Sequence, residues 1–295
     1  MTSRFRTYKD LAMGGTMQFF LWLCILPAVG IAVGLFLKSL PVLSEHSVSD
    51  LLFSSEWKPI KGKFGFLPFI ISTLGVTLTA VVLAFPISLF SSVFLTEYAR
   101  PYLKKYVFPF LDILAALPSV IYGVWGTLVI VPFISKHIAP YFVDFSAGYT
   151  MLAGGIVLGV SIIPLLTSLL MEIFSTVSND LRIASLALGA TRWQTAKKVI
   201  FRKTFPGIVA ATVLSISRAM GETIAVLMVC GNSPIVPHSL LDACYPLPAL
   251  ICNNYGEMLS MPNYEAALMF AALLLFLVVI IFNLISRLIL RKFNS

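Results

Sequence analysis

The stretch FGFLPFIISTLGVTLTAVVLAFPISLFSSVFLT, at residues 64–96, contains no aspartate, glutamate, lysine or arginine in 33 consecutive positions. A helix of about 20 predominantly apolar residues crosses the roughly 30 Å hydrocarbon core of a membrane, so this stretch predicts a transmembrane helix. Five further uncharged runs lie at 11–37, 113–135, 145–171, 223–241 and 266–286. The run at 223–241 ends among prolines, so its helix must begin near Thr204 and contain Arg218 and Glu222.

The composition excludes an ordinary soluble globule. Hydrophobic residues make up 58% of the 295 positions and charged residues only 12%, whereas a soluble domain carries roughly 25% charged residues. We find no internal repeat and no second soluble segment, so we predict an all-α integral membrane protein with a single transmembrane domain, residues 1–295. The six predicted helices lie at about 17–37, 67–95, 107–134, 149–174, 205–230 and 265–290, with a cytoplasmic loop at 175–204 between the fourth and the fifth.

The distribution of basic residues predicts the orientation of the chain. With the N-terminus in the cytoplasm, 15 of the 21 lysines and arginines fall on the cytoplasmic side and five on the other. Cytoplasmic loops carry an excess of these residues, so both termini are expected to be cytoplasmic in a multi-pass protein of the inner membrane. The first apolar run could be a signal peptide, but its length and the lack of a cleavage site favour a retained helix. Since topology explains the net charge of +8, the expected surroundings are the lipid bilayer and not a nucleic acid.

The loop at 175–204 contains two short helical patterns separated by a glycine. Polar residues at 178–180 can cap a first helix, Gly189 breaks it, and a second, basic helix begins near Trp193. Such a segment at a membrane surface is typical of an interfacial amphipathic hairpin attracted to anionic lipid. The alternative is an element that docks a cytoplasmic partner.

Arg218 and Glu222 are predicted to lie inside the fifth helix. At a rise of 1.5 Å per residue, Arg218 is roughly 20 Å from the helix start at Phe205. A lone charge at the membrane centre costs at least about 2.5–3.5 kcal/mol, and the i, i+4 spacing predicts an ion pair on one helical face. The pair either joins two helices, or Arg218 offers its planar donor fork to a passing oxyanion while Glu222 keeps the empty site neutral.

The third predicted helix contains the element Pro118-Ser119-Val120-Ile121-Tyr122-Gly123. A proline frees a backbone carbonyl and a glycine permits close packing, as is expected where a helix lines a pathway; a simple proline kink is the alternative. Ser119 and Tyr122 are therefore candidate pathway-lining residues.

Four cysteines are present. Cys24 and Cys230 are interpreted as apolar fillers of helices. Cys244 and Cys252 share the last outside loop, eight positions apart. A disulfide between them is a candidate in an oxidising compartment, and two free thiols are the alternative.

The loop at 175–204 resembles the cytoplasmic loop of binding-protein-dependent ABC importer permeases, whose pattern begins Glu-Ala-Ala, three residues, Gly. Ala184 matches the first alanine and Gly189 the glycine, whereas Ile183 stands for the glutamate and Ser185 for the second alanine. The resemblance implies that Ala184, Ser185 and Gly189 belong to a coupling helix that sits in a groove of an ATPase subunit.

The segment at 218–226 resembles Arg-Ala-Leu-Gly-Glu-Thr-Met-Ala-Val, which with a following Gly-Asn is characteristic of phosphate importer permeases. Met220 replaces the leucine, Ile224 replaces the methionine, and Gly231-Asn232 supplies the end. Segments at 65–69, 95–99 and 118–123 are similar to the same family. The resemblance implies that Arg218 and Glu222 lie on a phosphate pathway, and it favours the PstC-type subunit over its PstA-type partner.

The sequence shows no Walker lysine loop, metal cluster or nucleophile constellation, so the chain is expected not to be an enzyme and to bind no cofactor, with ATP hydrolysed by a partner subunit. The resemblance implies three partners: a second, PstA-type permease, a PstB-type ATPase and an extracytoplasmic PstS-type phosphate-binding protein. Three alternatives remain open: an ABC permease for sulfate or molybdate, a secondary transporter, which often shows repeated halves and needs coupling-ion sites, and an assembly or sensing component.

Overall fold

Helix α3 (Leu67–Val93) forms from the uncharged stretch at 64–96 in the computed structural model, which describes residues 2–143, 145–256 and 262–294. Pro68 lies in its first turn, where a missing N–H removes no intrahelical hydrogen bond. The helix continues into a π turn, Phe94–Tyr98, so the apolar segment runs from Leu67 to Tyr98. A helix satisfies its own backbone groups, as a membrane-spanning segment must.

Six helical segments in the described part of the chain are long and apolar enough to cross a membrane, which confirms the predicted number. They are Met13–Glu45, Leu67–Tyr98, Ser119–Tyr141, Met151–Ser175, Arg192–Met220 and Pro262–Ile289. The fold is an all-α multi-pass membrane protein.

The remaining elements connect or extend these spans. The α-helices are α1 (Thr2–Glu45), α2 (Val48–Phe53), α3, α4 (Pro101–Ala116), α5 (Ser119–Trp125), α6 (Val131–Phe133), α7 (Met151–Ser175), α8 (Asn179–Ala187), α9 (Arg192–Thr195), α10 (Phe201–Met220), α11 (Ile224–Val229), α12 (Leu247–Asn254) and α13 (Pro262–Asn294). Further π turns lie at Gly126–Ile130, Ile134–Ile138 and Ala196–Ile200, and 3₁₀ turns at Pro59–Lys61 and Ala139–Tyr141. Strands β1 (Trp57–Lys58) and β2 (Lys63–Phe64) pair antiparallel, Trp57 opposite Phe64 and Lys58 opposite Lys63.

Two clusters of buried residues hold the fold. The larger one joins α3, α5, α7, α10 and α11. The smaller one is aromatic and lies where the hairpin of β1 and β2 meets α3, α12 and α13. The half-buried Trp57 packs against this cluster, with its ring 5.3 Å from that of Phe66 and 4.9 Å from that of Phe69, in the edge-to-face geometry that aromatic pairs favour.

The two ends of the bundle differ. The basic end contains residues 97–105 and 175–204, and the opposite end contains residues 42–66 and 231–256. α1 and α13 run antiparallel, with Lys38 paired to Glu265 at 2.9 Å near the opposite end. The start of α1 and the end of α13 therefore lie toward the basic end.

Helices α3 and α7 pack closely because α7 presents glycines to α3. A Cβ at Gly155 would lie 2.4 Å from Thr79 Cγ2, and a Cβ at Gly159 would lie 3.2 Å from the Ala80 carbonyl oxygen. Glycines four residues apart let membrane helices approach each other. This contact fixes α3 relative to the helices that build the candidate site.

Gly159→Leu is expected to destabilise the fold. The atom that a new side chain would meet belongs to the backbone of Ala80 and cannot rotate away, and overpacking a close-packed contact costs about 1–3 kcal/mol. We expect a lower unfolding temperature for the full chain in detergent. Gly34→Leu is the control, because no atom lies within 4 Å of its Cβ position. Equal unfolding temperatures for the two variants would contradict the packing argument.

The third predicted helix, 107–134, is wrong at its start. The helix is interrupted at Leu117 and Pro118, and the membrane span begins at Ser119. Leu117 is extended, with ψ 134°, because the residue before a proline is forced out of the helical region. Residues 107–116 belong to α4, which has no buried residue.

The fifth predicted helix, 205–230, is divided. It begins earlier, with α9 at Arg192, and α10 ends at Met220; after a break at 221–223 the short helix α11 follows. At the break the N–H groups of Gly221 and Glu222 bond to carbonyls three residues back, at 3.2 Å and 3.1 Å. The last turn is thus wound more tightly than an α-helix.

Candidate functional site

A cavity of about 200 Å³ lies where three helix ends meet: the C-terminus of α4, the start of α5 and the C-terminus of α10. It is lined by Ala115, Leu117, Ser119, Tyr122, Leu158, Ser161, Ile162, Arg218, Ala219 and Glu222. All four residues predicted to line the pathway are present, although they come from segments a hundred residues apart.

Arg218 lies at the exposed side of this cavity and donates from Nη2 to the Ala115 carbonyl at 3.4 Å. The predicted ion pair with Glu222 is wrong: the described part of the chain forms three ion pairs, and none joins these two residues. The reason is the tightened turn at 221–222, because a 3₁₀ turn does not align positions i and i+4. The guanidinium therefore faces the cavity without a carboxylate on it.

Tyr122 and Ser119 form the wall that α5 contributes. Ser119 is the first residue of α5, and the Tyr122 hydroxyl donates to the Leu114 carbonyl at 2.7 Å. The Leu114 carbonyl lies in the last turn of α4 and also accepts the N–H of Leu117 at 3.3 Å, so the hydrogen bond from Tyr122 joins α5 to the end of α4. The break at Pro118, which sequence reasoning treated as a pathway element or a kink, thus separates two helices and lets both reach the cavity.

The contribution of α7 was missed from the sequence. Leu158, Ser161 and Ile162 line the cavity, and Ser161 donates to the Leu158 carbonyl at 2.8 Å. These residues stand in an apolar run without a distinguishing motif. Only the packing of α7 places them there.

The loop at 175–204 has the predicted helix–glycine–helix form. Gly189 follows α8 with φ +82°, and its N–H bonds to Leu186 while the N–H of Ala190 bonds to Ser185. This is the Schellman arrangement, in which the residue after the helix takes a left-handed conformation. Thr191 and Gln194 then form a capping box that starts α9.

The predicted coupling residues lie on α8 and its C-terminal turn. Ala184 is exposed, and Ser185 is half-buried with its hydroxyl 2.9 Å from that of Thr195. α8 has no buried residue. Its apolar side chains Ile183 and Leu188 are 63% and 89% exposed, so α8 presents an uncovered apolar surface at the basic end.

One ion pair at the basic end was not predicted. Arg182 Nη2 lies 3.1 Å from Glu97 Oε1, and the two side chains are only 18% and 11% exposed. Glu97 belongs to the π turn after α3, 85 positions away. In the sequence, Glu97 lies in the segment at 95–99 that is similar to the importer family, and Arg182 is one basic residue among several in the loop at 175–204.

The candidate disulfide is not formed. Cys244 is buried, Cys252 is exposed on α12, and both thiols are free. The backbone N–H of Cys244 instead donates to the Cys230 carbonyl at 2.8 Å.

The side chain of Tyr245, next to Cys244, accepts hydrogen bonds from Asn253 and Asn254. Burial raises the pKa of its phenol.

Comparison with known proteins identifies a family and several relatives to which this sequence is similar. Residues 84–295 match the family described as binding-protein-dependent transport system inner membrane component. The chain is 33% identical over 304 residues to the phosphate transport system permease protein PstC of Haemophilus influenzae, covering 98% of this chain and 96% of that protein. It is 38% identical over 239 residues to the probable ABC transporter permease protein YqgH of Bacillus subtilis, covering 79% and 76% of the two chains.

A solved structure shares the fold. An inward-facing conformation of the MetNI methionine ABC transporter contains a chain that matches 81% of this one and 100% of its own length, with a TM-score of 0.59 and 20% identity. The family match covers the break in α10, the cavity and the loop at 175–204. This chain belongs to the family of binding-protein-dependent transport system inner membrane components.

Proposed function

We propose that this chain is the PstC-type permease subunit of an ABC importer that moves inorganic phosphate across the cytoplasmic membrane. The observation that carries the proposal is Arg218, whose guanidinium lines a small cavity among broken helices and forms no ion pair with a carboxylate of the described residues. Relatives named as phosphate permeases, one of them aligned over 98% of the chain, support the choice of substrate.

The chemistry of the cavity suits a tetrahedral oxyanion. A guanidinium presents a planar fork of donors that matches two phosphate oxygens at once. Ser119 and Ser161 add hydroxyl groups to the cavity wall. Glu222 lies in the same cavity, and its carboxylate would repel the anion, which favours release over tight binding. A transport site must bind its substrate weakly enough to release it.

The family and the exposed surface of α8 support the assignment of partners. A binding-protein-dependent importer requires a second permease, an ATPase and a binding protein, which we assign to the PstA, PstB and PstS types. The exposed apolar side chains of α8 support its docking onto the ATPase subunit, which hydrolyses ATP. Ala184, Ser185 and Gly189 would form this contact.

The proposed orientation places the basic end in the cytoplasm. Positive residues concentrate on the cytoplasmic side of membrane proteins. Both termini would then be cytoplasmic, and the hairpin of β1 and β2 would face the binding protein. The aromatic cluster behind the hairpin gives that face a rigid support.

Phosphate uptake by vesicles that contain the assembled complex tests the proposal. We expect uptake to require ATP inside the vesicles and binding protein outside, and to be unaffected by a large excess of sulfate or molybdate. Uptake driven by an ion gradient without ATP would indicate a secondary transporter. ATP-dependent uptake of sulfate or molybdate in place of phosphate would assign the chain to another oxyanion.

A further inference from the structure

The ion pair between Glu97 and Arg182 joins the end of α3 to α8. Its closest N–O distance is 3.1 Å, and Arg182 Nε also contacts the carboxylate, at 3.2 Å and 3.3 Å. A guanidinium that holds a carboxylate with two nitrogens has a fixed orientation. Because both side chains are largely buried, solvent screens this pair less than a surface pair.

Arg182 also holds the end of α7. Its guanidinium donates to the Phe174 carbonyl at 2.8 Å and to the Val177 carbonyl. Phe174 lies in the last turn of α7, where carbonyls lack an α-helical partner, and Val177 follows the C-terminus of this helix. One side chain thus links α7, α8 and the π turn that ends α3.

Glu97 receives a second contact from the same loop. The side chain of Arg192, at the start of α9, donates to the Glu97 carbonyl at 3.5 Å. α8 itself makes its most extensive contacts with α9 and the π turn that follows it. The ion pair therefore connects α8 directly to the end of α3, in addition to the contacts of α8 with the start of the fifth span. π turns occur frequently at functional positions of helices.

We propose that Glu97 and Arg182 are positioning residues that transmit movement of α8 to α3 and α7. α3 packs on α7 through Gly155 and Gly159, and α7 lines the cavity that holds Arg218. A shift of α8 would reach the cavity along this route. The inference rests on the proposed docking of α8 onto the ATPase.

The test is a double-mutant cycle in the reconstituted complex. It compares wild type, Glu97→Gln, Arg182→Gln and the double variant, and it measures the ratio of binding-protein-stimulated to basal ATP hydrolysis per assembled complex. We expect each single substitution to lower the ratio about two- to thirtyfold, which corresponds to the 0.5–2 kcal/mol by which such residues modulate coupling. The double variant should be no worse than the poorer single, since the two side chains act as one unit.

Two further variants separate coupling from assembly. Glu97→Asp keeps the charge on a shorter side chain, so we expect assembly with an intermediate ratio. Glu265→Gln removes an ion pair of similar length between α1 and α13 and should leave the ratio unchanged. If both single variants kept the wild-type ratio of stimulated to basal hydrolysis and only the yield of assembled complex fell, the ion pair would have a purely structural role. That result would overturn the inference.

The same experiment distinguishes this failure from failure of the proposed function. If the wild-type complex imports another anion, the choice of phosphate fails, but the ratio still tests the ion pair with that substrate. If phosphate is imported and the ratio does not respond to the variants, only the inference about Glu97 and Arg182 fails.

Discussion

Replacing Arg218 by alanine is expected to lower phosphate uptake about 10- to 150-fold while the complex still assembles. Hydrogen bonds to charged groups contribute about 1.5–3 kcal/mol, and each 1.4 kcal/mol corresponds to a factor of ten. Assembly should survive because Arg218 is exposed and makes a single long hydrogen bond of 3.4 Å to the protein. Its removal strands no buried carboxylate. The measurement is the initial rate of phosphate uptake per assembled complex.

Arg218→Lys and Glu222→Gln sharpen this experiment. Lysine keeps the charge but presents a point donor in place of a planar fork, so uptake should recover only in part. Glu222→Gln removes a charge from the same cavity and serves as the matched control. It should retain assembly and bind the anion more readily but release it more slowly, with a smaller loss of uptake than Arg218→Ala. Normal uptake by Arg218→Ala would remove Arg218 from the pathway.

The number and class of the helices could be predicted from the sequence because charge is excluded from hydrocarbon. Five of the six spans contain a long run without charged residues, and this criterion needs no knowledge of packing. The fifth span, Arg192–Met220, is the exception because it contains basic residues, among them Arg218. The ends of the helices depend on local bonding instead. The interruption at Leu117 and Pro118 makes the third span begin later than the uncharged run from which it was predicted. A proline in a sequence indicates such an interruption but does not show whether the helix kinks or ends there.

The candidate site was predicted in its residues but not in its geometry. Ser119, Tyr122, Arg218 and Glu222 were singled out by their chemistry or by resemblance, and the structure places all four around one cavity. The ion pair was wrong because the i, i+4 rule assumes a continuous α-helix, and the hydrogen bonds at 221–222 show a tighter turn. Gly221 gave a weak indication of this break.

Long-range contacts were beyond sequence reasoning. Glu97 and Arg182 are 85 positions apart, and nothing in periodicity or composition relates two charges at that separation. Leu158 and Ser161 reach the cavity only through the packing of α7. These features arise from tertiary structure, and the pattern of residues in a single sequence does not reveal such contacts.

Gly189→Val is expected to uncouple ATP hydrolysis from the binding protein. The residue has φ +82°, a conformation that costs an L-residue about 1–2 kcal/mol and a β-branched residue more. A penalty of that size lowers the population of the present turn about 5- to 30-fold. Because no atom lies within 4 Å of the Cβ position, the effect comes from the backbone and not from a steric clash. We expect stimulated hydrolysis and uptake to fall together by a similar factor.

Two variants test whether the turn itself is responsible. Asparagine also occurs at this position of a Schellman turn, so Gly189→Asn should stay close to wild type. Gly189→Ala adds a Cβ that is not branched, so the left-handed conformation costs alanine less than valine, and stimulation should fall less than in Gly189→Val. If Gly189→Val retained full stimulation, α8 would be an interfacial hairpin at the lipid surface, since a lipid-bound hairpin does not require one defined angle between α8 and α9. A loss of stimulation in Gly189→Val that Gly189→Asn does not share would instead show that this turn fixes the direction of α8 and that transport needs this direction. A docked helix can move α3 and α7 only from a defined orientation.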